Sequence, residues 1–249
     1  MSGHSKWAKV KRYKGALDQK RGQVFSRLSK EIQLAAKSGG DPDTNLKLRT
    51  ILLKAKEVSM PADTIKRAID KGTGAEASAA LEAVLYEGYG PNGVAILVDA
   101  VTDNRNRTAA DIRSIFSKHG GNMGESGSVA FLFDKKGLLA VKKDVIGEDD
   151  LMGLVLDAGA EDMRSDKGDY YEVTTSPEAF DAVKKALEDK KIPTESAEVS
   201  MVPKTTVPLD EKKAEAYFRL HDALDNNDDV IDVHANFDIP DEILAKLDR

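Results

Sequence analysis

Nine Lys and Arg residues stand among the first thirty positions, and a single carboxylate, Asp18, faces them. They are Lys6, Lys9, Lys11, Arg12, Lys14, Lys20, Arg21, Arg27 and Lys30. Cations at this density neutralise phosphates, and the counterions released supply affinity. Trp7, the only Trp, and Tyr13 lie inside the same run. A flat ring among cations either stacks on an unpaired base or docks the arm on the protein body, and the residues leave both open. Neither use reads a base sequence, because phosphate contacts position and do not specify. A second candidate is Thr102-Asp103-Asn104-Arg105-Asn106-Arg107-Thr108. It leaves a predicted buried strand and enters a helix N-terminus, where backbone N–H groups favour anions. Arg105 and Arg107 there either fork onto phosphate or pair with nearby Asp in a capped loop. Base reading in a major groove would fall to polar side chains on helices, with Lys47, Arg49, Lys66 and Arg67 as the candidates.

Other chemistry finds no anchor. The chain has no Cys, which removes disulfides, thiol catalysis and thiolate metal sites. Gly88, Gly90 and Gly93 spell a formal G-x-G-x-x-G, but a strand follows them where the dinucleotide fingerprint needs a helix. Pro91-Asn92-Gly93 is hairpin-turn chemistry instead. Gly124-Glu125-Ser126-Gly127 misses the nucleophile elbow by one residue. His4, His119, His221 and His234 show no metal-ligand spacing and read as surface or helix-end residues. Asp225-Asn226-Asn227-Asp228-Asp229 lacks the spaced ligands of a calcium loop and reads as a helix-terminating turn. The expectation is a non-enzymatic protein with no cofactor, no metal and no small-molecule substrate.

Charge is divided unevenly along the 249 residues. Positions 1–71 hold 17 Lys and Arg against 7 Asp and Glu, a net +10, and the remainder holds 20 against 36, a net −16. A basic module on an acidic body expects a polyanion at one end. The polar start and the lack of a run of roughly 20 apolar residues predict a cytoplasmic chain with no membrane partner.

These candidates need elements to hold them. Residues 1–22 lack a clean apolar period and read as a basic, flexible arm. Val24, Phe25, Leu28, Ile32, Ala35 and Ala36 then share a helical face. Asp41-Pro42 reads as the cap of a second helix lined by Leu48, Ile51, Leu52, Ala55 and Val58. Pro61 opens a third, with Ile65, Ala68 and Ile69 inward and Gly72 just past its end. Residues 23–74 are thus predicted to be a helical bundle.

Beyond 80 the pattern gives strands at 81–89 and 94–101, and a helix carrying Ile112, Ile115 and Phe116 that Asp103 or Thr108 caps. A strand at 128–133 follows. Positions 138–202 read as strand, helix, strand, strand, helix, strand, the split pattern of a ferredoxin-like fold. A last helix at 209–224 and a strand at 230–235 supply what the 80–134 unit lacks. The fold class expected is α+β, an N-terminal three-helix module plus two ferredoxin-like α/β domains, the third inserted into the second. Domain II would be 80–136 plus 204–240, and domain III 137–203.

Several segments together resemble a known family. Gly3-His4-Ser5-Lys6-Trp7, Leu48-Arg49, Met60-Pro61 and Ile65-Lys66-Arg67-Ala68-Ile69-Asp70-Lys71-Gly72 are similar to the YebC/PmpR family. So are Tyr86-Glu87-Gly88-Tyr89-Gly90-Pro91, Thr102–Arg107, Gly120-Gly121-Asn122 and Gly127-Ser128-Val129-Ala130-Phe131. Ser2 and Arg12-Tyr13 depart slightly from the usual pattern. The resemblance covers nearly the whole chain and implies three domains. It implies a DNA-binding transcriptional regulator, or alternatively a ribosome-associated translation factor that meets ribosomal RNA; mitochondrial relatives resemble translational activators and some bacterial relatives act on the ribosome.

Overall fold

The computed structural model describes residues 17–74, 81–165, 168–240 and 243, with side chains from residue 22 onward. They divide into two compact units. The first comprises the described residues of Gly15–Ala130 with Glu211–Ala235, and the second those of Phe131–Asp210 with Asn236–Arg249.

The first unit opens with three helices, α1 (Leu17–Ala36), α2 (Leu46–Glu57) and α3 (Ala62–Thr73). Leu28, Ile32 and Ala35 on α1, Leu48, Ile51 and Ala55 on α2, and Ala68 on α3 bury one shared core, closed by Met60. α1 begins at Leu17, so the helix takes in residues 17–22, which the sequence assigns to the arm. The cap of α2 is Asn45 and not Asp41. Its Oδ1 accepts from the Leu48 N–H, while Nδ2 donates to the carbonyls of Ala35 and Gly39 at 2.8 and 2.7 Å. One amide therefore both starts α2 and fastens the preceding loop to α1. Gly72, expected past the end of α3, lies inside the helix and is buried, because a Cβ there would stand 2.5 Å from the Gln33 carbonyl of α1. The close crossing of α1 and α3 requires a residue without a side chain at that point.

A four-stranded antiparallel sheet follows, built from β1 (Glu82–Tyr89), β2 (Ala95–Thr102), β3 (Asn122–Met123) and β9 (Val230–Ala235) in the order β3-β1-β2-β9. β1 and β2 form a hairpin with Gly88 opposite Ile96. Its turn, at Pro91–Gly93, places Asn92 and Gly93 at φ 65° and 75°, the left-handed region that suits these residue types. The glycine motif is therefore turn chemistry. α4 (Arg105–Lys118) is capped by Asn104, whose side chain accepts from the Arg107 N–H, rather than by Asp103 or Thr108. α7 (Glu211–Asp225) joins α4, and Phe116 and Leu220 from the two helices close over Gly121.

The expected strand at 128–133 does not form. Residues 130–132 are a short 3-10 turn, and pairing starts at Phe133. The cause is Glu87, whose carboxylate collects the N–H groups of Gly127, Val129 and Ala130 at 2.6, 2.8 and 2.7 Å. Donors gathered at one point cannot also line a strand ladder.

The second unit holds β4 (Phe133–Lys142), α5 (Glu148–Asp157), β5 (Ala160–Arg164), β6 (Tyr170–Thr175), α6 (Phe180–Asp189) and β7 (Thr194–Pro203). Its sheet order is β5-β6-β4-β7, antiparallel throughout, the arrangement of a ferredoxin-like fold. Leu139, Val141, Val173, Leu151, Val155, Val183 and Leu187 make its core. β4 starts four residues before position 137, since Phe133 already pairs with Pro203. A two-stranded parallel piece, β8 (Val207–Pro208) with β10 (Phe237–Asp238), completes the unit. The fold is mixed α+β with an N-terminal helical region and antiparallel sheets.

Candidate nucleic-acid interface

Lys6, Trp7, Lys9, Lys11, Arg12 and Lys14 lie outside the described residues. Lys20 and Arg21 sit on the first turns of α1, and their side chains also lie outside the described part. The other candidates divide into two groups according to what holds them.

Arg27, Lys30 and Arg107 are engaged by carboxylates of the turn between α7 and β9. Arg27 pairs with the Asp225 carboxylate at 3.0 Å and donates to the Asp225 carbonyl. Lys30 meets the Asp229 carboxylate and the Asp228 carbonyl, each at 2.7 Å. Arg107 bridges Asp103 at 2.9 Å and Asp229 at 2.8 Å. Asp229 also accepts from the Thr108 hydroxyl at 2.6 Å. Burial pushes this carboxyl up, but Lys30, Thr108 and Arg107 outweigh it and hold Asp229 well below the usual carboxylate range. The surrounding cavity, about 390 Å³, is lined by Lys30 and Arg107 but also by Asp103, Asp111, Asp228 and Asp229. Its carboxylates outnumber its cations. Of the two uses expected for the 102–108 loop, the geometry is that of a capped loop with Arg–Asp pairs.

Lys47, Arg49, Lys66, Arg67 and Arg105 are exposed. Arg49 is tethered to the carbonyls of Pro42 and Asp43 at 2.9 and 2.8 Å. Arg67 Nε reaches the Asp63 carbonyl at 3.2 Å within its own helix. Arg105 opens α4 while its carbonyl accepts from the Tyr86 hydroxyl at 3.2 Å, so its backbone is positioned and its side chain remains outside.

Three kinds of structural hub carry no mark in the local sequence pattern. Asp229 reads as one acid among several in a turn. Glu87 is a buried carboxylate on β1, 4% exposed, and its three backbone bonds hold it below the usual range against the burial that would raise it. His221 and His234, expected at the surface or at a helix end, are both buried, at 5% and 8%. His234 Nε2 lies 2.9 Å from the Asp99 carboxylate. Among the described residues no group of three or more His, Asp or Glu could hold a metal ion, and no helix is long and apolar enough to cross a membrane.

A basic helical module ahead of two four-stranded sheets defines a class. The model of the TACO1/YebC N-terminal domain matches residues 5–75, and that of the TACO1/YebC second and third domain matches residues 81–237. The chain belongs to the TACO1/YebC family, in agreement with its motifs. It is 54% identical to a Rubrobacter xylanophilus protein over 249 residues, covering 99% of each chain. It is 53% identical to a Geobacter sulfurreducens protein over 248 residues, covering 99% of this chain and 100% of the other. Both relatives are named probable transcriptional regulatory proteins. A crystal structure of a conserved hypothetical protein from Aquifex aeolicus is similar at TM-score 0.79 and 43% identity, covering 91% of this chain and 94% of that one.

Proposed function

We propose that this protein is a non-catalytic, cytoplasmic regulator of gene expression that binds DNA through its basic N-terminal segment. The observation that carries the reading is the division of charge, +10 over residues 1–71 against −16 over the rest, in a chain whose full-length relatives are named as transcriptional regulators. Lys6, Lys9, Lys11, Arg12, Lys14, Lys20 and Arg21 supply phosphate contacts. The exposed Lys66 and Arg67 on α3 and Arg105 on α4 extend them, with Lys47 and Arg49 on α2 as further cations within reach of a polyanion. Arg27, Lys30 and Arg107 contribute only if a phosphate displaces Asp225 and Asp229.

The test compares binding to a candidate promoter, a scrambled duplex and intact ribosomes at one physiological salt. A promoter preference of about a thousandfold or more over scrambled DNA is the expected result. Neutralising Lys6, Lys9, Lys11, Arg12 and Lys14 should lower the log–log salt slope by about 0.9 for each duplex phosphate that is no longer neutralised. Equal weak binding to both duplexes, with tight ribosome binding that disappears on Trp7→Ala, would replace DNA with ribosomal RNA as the partner.

A further inference from the structure

α2 has two working sides. Leu48, Ile51 and Ala55 enter the bundle core, while Leu46 and Leu53 stand 60% and 48% exposed on the other side. At about 100° per residue, Leu46, Thr50, Leu53 and Glu57 form one strip along the helix. Lys47 and Lys54 border that strip on one flank, and Arg49 and Lys56 on the other, all four exposed. Leu46 and Leu53 are seven residues apart, the spacing of one position in a heptad. Leu46 and Leu53 occupy its d positions, and Thr50 and Glu57 its a positions. Lys47 and Lys54 are at e, Arg49 and Lys56 at g.

Residues at e and g select the partner, because they face the partner's own flanking charges. Here every one is a cation. A second copy of α2 would set like charges against each other, which disfavours self-pairing. A helix with carboxylates at those positions would be attracted on both flanks. Two exposed leucines inside a charged rim also suit a protein interface. A phosphate backbone would use the cations and leave the leucines in water. The surroundings keep the pattern in place. Arg49 is held by the carbonyls of Pro42 and Asp43.

We propose that the outer face of α2 is a docking site for an amphipathic helix of a partner protein, with aliphatic residues at its a and d positions and Glu or Asp at e and g. This goes beyond the nucleic-acid reading and gives Leu46 and Leu53 a use that reading lacks. The interface covers only the 12 residues of α2, so it is brief and reversible rather than a permanent assembly.

The experiment titrates the full chain against a labelled synthetic helix carrying Leu at a and d and Glu at e and g, and against a twin with Lys at e and g. The Glu peptide is expected to bind about tenfold tighter than the twin or better. Leu46→Ser with Leu53→Ser should weaken it about tenfold, because less apolar area is buried. The melting temperature and duplex binding should be unchanged, since both leucines are exposed. Lys47→Glu with Lys56→Glu should move the preference toward the Lys twin. Equal binding of the two peptides overturns the proposal, as does binding that ignores the leucines. A leucine variant that loses duplex binding would assign the strip to nucleic acid, whereas loss of peptide binding alone would leave the nucleic-acid reading untouched.

Discussion

Lys30 on α1 and Asp229 just before β9 meet at 2.7 Å although 199 positions separate them. The ion pair fastens the helical bundle to the sheet that β9 completes. It stands in a network, because the same carboxylate takes Arg107 and Thr108 as well. Groups held this way act together, and removing one leaves the others facing an unmatched charge.

Asp229→Asn should therefore destabilise the first unit by about 2–4 kcal/mol near neutral pH. The sign of the acid dependence follows from the depressed folded value. The stabilisation is complete above the ordinary Asp value of about 3.9 and is lost as pH falls below it. Urea unfolding at pH 7 and pH 3 should show a large gap between wild type and variant at the first and a smaller gap at the second. An equal gap at both would remove Asp229 from the acid response.

Gly72 and Gly22 form a matched pair on two helices. A Cβ at Gly72 would lie 2.5 Å from the Gln33 carbonyl and 2.6 Å from the Ala36 Cβ, while one at Gly22 would meet nothing within 4 Å. Gly72→Ala should cost about 1–3 kcal/mol through forced separation of α1 and α3. Gly22→Ala should gain about 0.5–1 kcal/mol from helix propensity alone. Thermal unfolding of the two variants side by side should move the midpoint in opposite directions.

Glu87→Ala would leave the N–H groups of Gly127, Val129 and Ala130 without their acceptor. A loss of about 2–4 kcal/mol is expected, with Glu87→Gln intermediate because it keeps one acceptor oxygen. Amide exchange at Gly127, Val129 and Ala130 should accelerate before β1 itself is affected. Uniform acceleration across the sheet would mean the loop and β1 unfold as one piece.

Removing residues 133–203 and joining the ends with a short flexible linker should leave a first unit that still unfolds cooperatively, because β1, β2, β3 and β9 contain its whole sheet. A cut at position 137 is expected to do worse on the linker side, since residues 133–136 would remain as a strand without its partner β7. Loss of cooperative unfolding in the 133–203 deletion would count against a separable inserted domain.

Local patterning is sufficient for β1 at Glu82–Tyr89, β2 at Ala95–Thr102 and β9 at Val230–Ala235, expected at 81–89, 94–101 and 230–235 and found within one residue. Periodicity reports on neighbours along the chain, and these elements bury a face that the neighbours alone define. The basic start, the hairpin glycines and the family membership are legible for the same reason, since composition and contiguous motifs carry them. Tertiary structure decides what each charge is for. Arg27, Lys30 and Arg107 read as phosphate ligands alongside Lys66 and Arg67, yet three-dimensional proximity gives the first three to Asp225 and Asp229 and leaves the other two exposed. Gly72 is likewise indistinguishable from a helix-ending glycine until α1 crosses it. Glu87 resembles any strand carboxylate until a loop forty residues later delivers its N–H groups. In each case the deciding partner lies far away in sequence, and a pairing energy between distant groups leaves no trace in the local pattern of either one.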